Sequence, residues 1–237
     1  MLLRQVAFLA LITLSLPARG ALPLVKYASP VRDISARSTL VSKDMNELKV
    51  ISKEYAQGYR VTYTDVWFRE PNMLRVTSKA GLISAVSIIN GNTKKVSAGP
   101  IKKTYDLKKE PRKRQDALVL GLVTPSGLFD YTDKFLRKDK VNGVDVMVYE
   151  LKHKVKPEDS YKIVFVDPNR KVVVRLMSYQ GDGRLKLDSR FLNPVKLNGV
   201  WVPTRTEVYN ANGKLGGVTK FENIKVNTGL SDSLFKL

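Results

Sequence analysis

The 237-residue chain carries a formal net charge of +19, from 41 Lys and Arg against 22 Asp and Glu. It has no cysteine and one histidine, which excludes disulfide bonds, thiolate catalysis and metal sites built from Cys or from several His ligands. Such a basic surface favours anionic partners, and for an exported protein we expect phospholipid or glycolipid head groups and no nucleic acid. Plain solubility explains the charge equally well.

The first twenty residues have the pattern of a secretory signal peptide. Arg4 precedes an apolar run over residues 6–16, and Ala18-Arg19-Gly20 has the small-x-small form of a cleavage site. The run ends at Pro17 and is shorter than the roughly 18 to 20 residues of a membrane span. We therefore expect an exported, soluble protein that is cleaved near Gly20.

The next segment, residues 21–38 with Pro23 and Pro30, predicts a leader without structure of its own, followed by a single domain over 39–237. The domain begins with apolar residues at steps of four, three, three and four, and Gly58 follows them as a stop signal. These residues are Val41, Met45, Leu48, Ile51 and Tyr55. The pattern predicts one amphipathic helix whose narrow apolar stripe covers one face of a sheet.

After Gly58, short apolar runs alternate with turn signals such as Asn90-Gly91, Asn142-Gly143 and Asn212-Gly213. This spacing predicts an antiparallel meander of about ten strands rather than βαβ units. The predicted strands include 59–69, 73–79, 82–89, 144–152, 160–167, 171–179, 184–192, 200–209 and 214–226. Several have one apolar and one mixed face, which fits a large curved sheet with a filled or lipid-filled concave side. A closed barrel fits nearly as well.

A basic segment and an apolar segment interrupt the meander. The basic segment, within 102–114, is predicted to dock onto anionic head groups, although a merely solvated loop is an equally good interpretation. Its basic residues are Lys102, Lys103, Lys108, Lys109, Arg112, Lys113 and Arg114. The apolar run 118–123 is too short to span a bilayer and predicts a buried or ligand-covered helix, and 127–135 predicts a second short helix.

We predict that residues 116–130 form a mobile lid, because Gly121 and Pro125 weaken the helix and supply places to bend. The apolar side chains of this lid are Leu118, Leu120, Leu122, Val123, Leu128 and Phe129. From the apolar strand faces we predict a cavity lined by Val66, Phe68, Leu74, Ile163 and Val174. A register shift of one residue would exchange Phe68 for Trp67.

The groups that catalysis needs are scarce in this chain. His153 lies in a polar stretch among lysines, and we find no G-x-S-x-G motif, phosphate loop or histidine cluster. We therefore expect a protein that is not an enzyme, with no catalytic residues, no metal and no cofactor.

Several motifs follow one another in an order that extends over nearly all of the chain after residue 20. They are the amphipathic helix, the strand pair around DVWFREPNMLRV at 65–76, the SIINGNTKKV hairpin at 87–96, the apolar interruption, and GLSDSLFKL at 229–237. With the signal peptide, this order resembles the LolA-like family of periplasmic outer-membrane lipoprotein carriers. The tryptophan followed by a Pro-Asn turn and an apolar strand is the most specific part.

The resemblance implies a mainly β protein with a few helices, built as an incomplete antiparallel β-barrel whose helical plug or lid covers an apolar cavity. It implies a periplasmic carrier, or chaperone, that binds acyl chains of lipoproteins or lipids and moves them toward the outer membrane. Partners would be an anionic membrane surface, contacted transiently, an inner-membrane donor protein and an outer-membrane acceptor protein. The alternative is an envelope sensor or scaffold that uses the same fold to bind a protein partner, with lipid as a regulator.

Overall fold

The computed structural model describes residues 22–80, 83–110, 113–155 and 160–237. The predicted signal peptide and Arg112 lie outside these residues. Within the described part of the chain, no helix is both long enough and apolar enough to cross a membrane.

The described residues form mostly strands. The strands are β1 (Asp33–Lys43), β2 (Tyr63–Arg69), β3 (Met73–Ala80), β4 (Ile83–Asn90), β5 (Thr93–Ala98), β6 (Ile101–Asp106), β7 (Tyr131–Val141), β8 (Val144–His153), β9 (Tyr161–Asp167), β10 (Val172–Tyr179), β11 (Leu185–Leu192), β12 (Val195–Leu197), β13 (Val200–Val202), β14 (Arg205–Asn210) and β15 (Leu215–Val226). The α-helices are α1 (Met45–Ile51) and α2 (Lys53–Gly58). Short 3-10 helices lie at Leu24–Tyr27, Ala117–Leu120, Ser126–Leu128 and Asp232–Phe235.

Thirteen of these strands form one antiparallel sheet in the order β6-β5-β4-β3-β2-β1-β15-β14-β11-β10-β9-β8-β7, and β12 pairs with β13 in a separate hairpin. The edge strands β6 and β7 do not pair with each other, so the curved sheet stays open. This confirms the predicted incomplete antiparallel β-barrel, and the closed barrel that the sequence also allowed is wrong.

The largest difference from the sequence-based prediction is β1. It begins at Asp33, inside the segment predicted to be a leader, and it lies in the middle of the sheet between β2 and β15. Its Ile34 is fully buried opposite Phe68 and Val226. Ahead of it, Leu24 is also fully buried. The leader prediction for 21–38 is therefore wrong, because these residues supply core side chains.

The predicted single helix is two short helices. Asp44 caps α1 by accepting hydrogen bonds from the backbone N–H groups of Asn46 and Glu47, and Ser52 breaks the helix and caps α2. Val41 belongs to β1 instead. The apolar stripe itself is confirmed, since Leu48 and Ile51 are buried in one cluster with Val208 of β14.

The face of the sheet that the helices cover is called the inner face here, and the opposite one is the outer face. Residues 115–130, called the plug, also pack on the inner face. Leu120 and Leu122 join a cluster with Phe68 and Leu74 of β2 and β3. The plug residues Leu118 and Val123 join a second cluster, which includes Val164 and Val166 of β9. The plug thus bridges the two halves of the curved sheet.

The plug is not the regular helix that its composition predicted. Asp116 caps a single 3-10 helix by accepting a hydrogen bond of 2.8 Å from the Leu118 N–H, and Gly121 ends that helix in the left-handed conformation, at φ +73°. The Gly121 carbonyl then accepts a hydrogen bond from Val173 N–H of β10 at 2.9 Å. The second predicted helix is a turn at Ser126–Leu128, after which β7 begins.

The C-terminal motif docks on the outer face. Phe235 is fully buried, and the Arg69 guanidinium lies 5.4 Å from the centre of its ring. Arg75 donates a hydrogen bond to the Leu234 carbonyl, and Asn90 donates one to the Phe235 carbonyl, each at 3.2 Å. The C-terminal segment, which was one of the motifs behind the family resemblance, is therefore held on β2, β3 and β4 by side-chain contacts.

The conformation of Gly121 leads to a stability prediction. A Cβ atom there would lie 2.8 Å from ring atoms of Phe191 and Pro203, whereas a Cβ at Gly91, also at positive φ, would meet nothing within 4 Å. We expect Gly121→Ala to lower the free energy of unfolding by roughly 1–3 kcal/mol more than Gly91→Ala, because only the first substitution overpacks the interior. Urea unfolding of both variants measures the difference. Equal losses would show that the plug yields at this contact.

Candidate functional site

A cavity of about 430 Å³ lies between the inner face, α2 and the plug. Most of its lining is apolar, from strands on both halves of the sheet and from the plug. Representative apolar residues are Leu40, Val66, Leu120, Leu176, Leu187 and Val208. The polar lining consists mainly of Ser and Thr hydroxyls, with Tyr55, Tyr59, Gln115 and Lys162. The described residues hold no group of three or more His, Asp or Glu side chains placed to bind a metal ion.

The predicted cavity residues on β2 and β3 lie in different surroundings. Val66 lies on the inner face and lines the cavity, as predicted. Phe68 and Leu74 share that face, but they are buried in the cluster under Leu120 and Leu122 and are not part of the lining. Trp67 points to the outer face, where the Arg75 guanidinium lies 5.9 Å from its ring centre. The alternative register, which would place Trp67 in the cavity in exchange for Phe68, is therefore wrong.

Ile163 and Val174 were also predicted to line the cavity, and this prediction is wrong. Both pack in a separate outer-face cluster with Val146, Val148 and Phe165. Strands β8 to β10 are apolar on both faces, so alternation alone does not tell which face is inner. On β9 the inner-face residues are Lys162, Val164 and Val166. Because the first of them is a lysine, the sequence did not show that this face is the inner one.

The predicted lid residues take three different positions. Leu118, Val119 and Leu120 line the cavity, and Val119 is 50% exposed at its mouth. Leu122 and Val123 are fully buried in the two core clusters. Leu128 is half-buried and Phe129 is 69% exposed, and neither lines the cavity. The run is a buried plug that touches the cavity at one end, and its mobility remains a prediction.

Polar contacts tie the plug to two turns of the sheet. Ser126 Oγ donates a hydrogen bond of 2.9 Å to the Glu70 carboxylate in the turn between β2 and β3. Arg114 forms an ion pair of 2.8 Å with Asp130 and also donates to the Gly91 carbonyl. Because both partners of this pair are largely buried, Arg114 holds the plug in place. The prediction that it contacts head groups is wrong.

The other residues of the basic segment differ in their surroundings. Lys102 and Lys103 belong to β6, and with Lys108 and Lys109 they form an exposed strip along this edge of the sheet. Lys113 is also exposed, but its ammonium lies 3.8 Å from the centre of the Tyr105 ring and pairs with Glu110. Among the described residues of this segment, Lys102, Lys103, Lys108 and Lys109 have no such contact and face solvent.

Lys162 is a lining residue that was not predicted from the sequence. Its ammonium donates a hydrogen bond of 2.6 Å to the Tyr131 hydroxyl and lies 4.7 Å from the centre of that ring. Burial alone would lower the pKa of Lys162, but the neighbouring Tyr131 and Asp116 outweigh this effect and raise it. Burial also raises the pKa of the Asp116 carboxyl, against the opposite influence of Lys162. Lys162 is therefore a charged group in the cavity wall at neutral pH.

Comparisons with known proteins identify the fold. A family model described only as an uncharacterized protein matches residues 123–237. No curated protein matches this chain. A DUF1329 family protein from Desulfovibrio piger is similar in structure, with a TM-score of 0.59, 14% sequence identity, and coverage of 87% of this chain and 90% of that one.

Two further solved structures are similar over nearly the whole chain. A LolA superfamily protein from Nitrosomonas europaea has a TM-score of 0.57 and 16% identity, with coverage of 92% of this chain and 99% of that one. A domain named as an outer membrane lipoprotein-sorting protein, from Vibrio parahaemolyticus, has a TM-score of 0.55 and 11% identity, with coverage of 88% and 89%. At these identities the likeness establishes the fold and nothing more. The chain has the LolA-like fold.

Proposed function

We propose that this protein is a periplasmic lipid carrier, which encloses an acyl chain of a lipid or lipoprotein in the inner cavity and moves it through water toward the outer membrane. The observation that carries the proposal is the apolar cavity between α2 and the plug, with the half-exposed Val119 at its mouth. The names of the proteins with similar structures, which include lipoprotein sorting, agree with this role.

The energetics of acyl chains make such shielding necessary. Each methylene removed from water contributes about 0.8 kcal/mol, so ten of them contribute roughly 8 kcal/mol before the cost of ordering the chain. A lipid does not leave a membrane for water without compensation of this size. Leu176, Leu187 and Val208 offer an apolar surface that supplies it.

We further propose that the protein carries its ligand without converting it. The polar side chains of the described lining are hydroxyls, one amide and one lysine, and no carboxylate or imidazole lies among them. An acyl-transfer or hydrolytic site would need a nucleophile beside an unprotonated base, and the raised pKa of Lys162 keeps this amine protonated. Incubation with a long-chain ester and analysis of the products tests this proposal, and we expect the ester to be recovered intact.

Delivery requires contact with a membrane, and the exposed strip of Lys102, Lys103, Lys108 and Lys109 is suited to it. The strip lies on and beside the edge strand β6, which pairs on one side only. Lysines near an anionic surface each contribute about 1 kcal/mol to binding. We propose that this edge approaches the head groups. A donor and an acceptor protein on the two membranes would complete the route.

The alternative predicted from the sequence, a sensor or scaffold with lipid as a regulator, makes a different prediction for transfer. A carrier accelerates movement of a labelled lipid from donor to acceptor vesicles, and the rate scales with protein concentration. A lipid-regulated sensor binds the lipid without accelerating its transfer. Binding without transfer would therefore favour the sensor.

Two neighbouring positions on β15 test whether the cavity is the binding site. Thr219 lines the cavity, while Lys220 points to the outer face and is exposed. We expect Thr219→Trp to weaken binding of a fluorescent lipid probe at least tenfold, because the indole fills the cavity. Lys220→Trp should bind like the wild type. The measurement is a probe titration on delipidated protein, with circular dichroism as the check on folding; equal binding by both folded variants would place the probe elsewhere.

The lysine strip is tested by vesicle sedimentation. We expect replacement of Lys102, Lys103, Lys108 and Lys109 by Gln to weaken binding to anionic vesicles roughly 100-fold or more, because about 1 kcal/mol is lost at each site. In the control variant, four other exposed lysines are replaced by Gln, so that both variants lose the same charge. These are Lys138, Lys196, Lys225 and Lys236. Equal losses in both variants would mean that net charge, and not this edge, drives the attraction. Binding that persists at high salt would also argue against docking.

A further inference from the structure

One cation interrupts the otherwise uncharged lining of the described cavity. Lys162 is the second residue of β9 and lies on its inner face, with Val164 and Val166 following it toward the core. On the neighbouring strand β10, Ser178 lies opposite Lys162 and the cavity residue Leu176 lies opposite Val164. Lys162 therefore lies at the rim of the sheet. The next inner-face position on β9 is Val164, which begins an apolar row.

The ammonium of Lys162 is held in place. Tyr131 accepts one of its three N–H groups at 2.6 Å and covers it with its ring, which fixes the direction of the side chain. The phenol is neutral at neutral pH, because burial raises the pKa of Tyr131 further above its usual value. The hydrogen bond to Tyr131 thus positions the charge without neutralising it.

Asp116 is the carboxyl group whose negative charge helps to raise the pKa of Lys162. Its Oδ1 already accepts a hydrogen bond from the Leu118 N–H, as the cap of the 3-10 helix in the plug. The second carboxylate of this region, Asp130, is paired with Arg114 at 2.8 Å. Both acidic groups thus have structural partners, and Lys162 retains donors for an anion that enters from the mouth.

The cavity volume limits the number of chains. A volume of about 430 Å³ is in the lower part of the range of about 300–1,000 Å³ that single small-molecule ligands occupy. It suits one acyl chain better than two or three. An amphiphile with its tail against Leu176 and Leu187 would place its head group at the rim, where Lys162 lies.

We propose that the cavity selects a single-chain amphiphile with an anionic head group, of the fatty-acid class, and that Lys162 binds its carboxylate. This inference rests on the proposed function, since it concerns the same cavity. A charge-assisted hydrogen bond to a carboxylate makes the acid bind roughly tenfold or more tightly than its uncharged ester. Lys162 is thus a specificity determinant, while the apolar lining provides the bulk of the affinity.

The test is competition on delipidated protein loaded with an uncharged fluorescent probe, N-phenyl-1-naphthylamine. Palmitate and methyl palmitate, each below its aggregation limit, displace the probe at pH 8. We expect wild-type protein to prefer palmitate at least tenfold. In Lys162→Met we expect the palmitate affinity to fall about tenfold while the ester changes by less than twofold. Lys162→Arg and the outer-face control Lys220→Met should both keep the preference.

The outcomes separate this inference from the proposed function. If wild-type protein binds the acid and the ester equally well, or if Lys162→Met weakens both to the same extent, the inference is overturned while the carrier proposal stands. If the protein binds no probe and neither lipid, both fail. If Lys162→Met does not fold, Lys162→Gln replaces it, because the amide retains a hydrogen-bond donor for Tyr131. The ratio of the affinities for palmitate and methyl palmitate then decides in the same way.

Discussion

The structure depends on covering the apolar inner face of an open, curved sheet. Thirteen strands present this face, and the helices α1 and α2 are too short to cover it. The plug covers the middle by placing Leu120 and Leu122 against one half of the sheet and Leu118 and Val123 against the other. The plug consists of two short 3-10 helices, Ala117–Leu120 and Ser126–Leu128, joined by irregular chain, so individual side chains fill the centre of the sheet. The volume between the plug and α2 is the cavity.

The same arrangement accounts for the distribution of charge. The outer face carries ion pairs between neighbouring strands, such as Arg37 with Asp65 and Arg175 with Asp188, in which a basic group lies beside an acidic one. The open edges also carry basic residues, since β6 presents Lys102 and Lys103 and β7 presents lysines along its length. Lysines on an edge strand discourage pairing with another sheet. In the proposed carrier, the lysines of β6 would also contribute to the proposed docking on anionic membranes.

The sequence predicted the large-scale features and missed those that depend on distant partners. The turn signals gave the antiparallel meander, and the apolar run at 118–123 located the plug. β1 was missed although its buried Ile34 and Ala36 alternate with polar residues, as in a half-buried strand, because Pro23 and Pro30 ahead of it suggested a leader without structure. Arg114 looked like one of seven equivalent basic residues, since its burial depends on Asp130, beyond the apolar run.

The candidate site was predicted in part. Val66 and the plug residues Leu118 and Leu120 were identified, whereas Ile163 and Val174 were placed on the wrong face because β8 to β10 are apolar on both sides. Lys162 was missed, since its position depends on a hydrogen bond to Tyr131, which lies 31 residues earlier in the chain. A lysine at an inward position of a strand is the one signal that could have indicated it.

Photolabelling tests the central claim, that the inner cavity holds an acyl chain, most directly. A palmitate analogue with a diazirine near the end of its tail is activated while bound to the delipidated protein, and the labelled peptides are mapped by mass spectrometry. We expect labels on lining residues of β10, β11 and β14, such as Leu176, Leu187 and Val208, and we expect excess palmitate to suppress them. Labels confined to the outer-face cluster around Ile163 and Phe165 would contradict it.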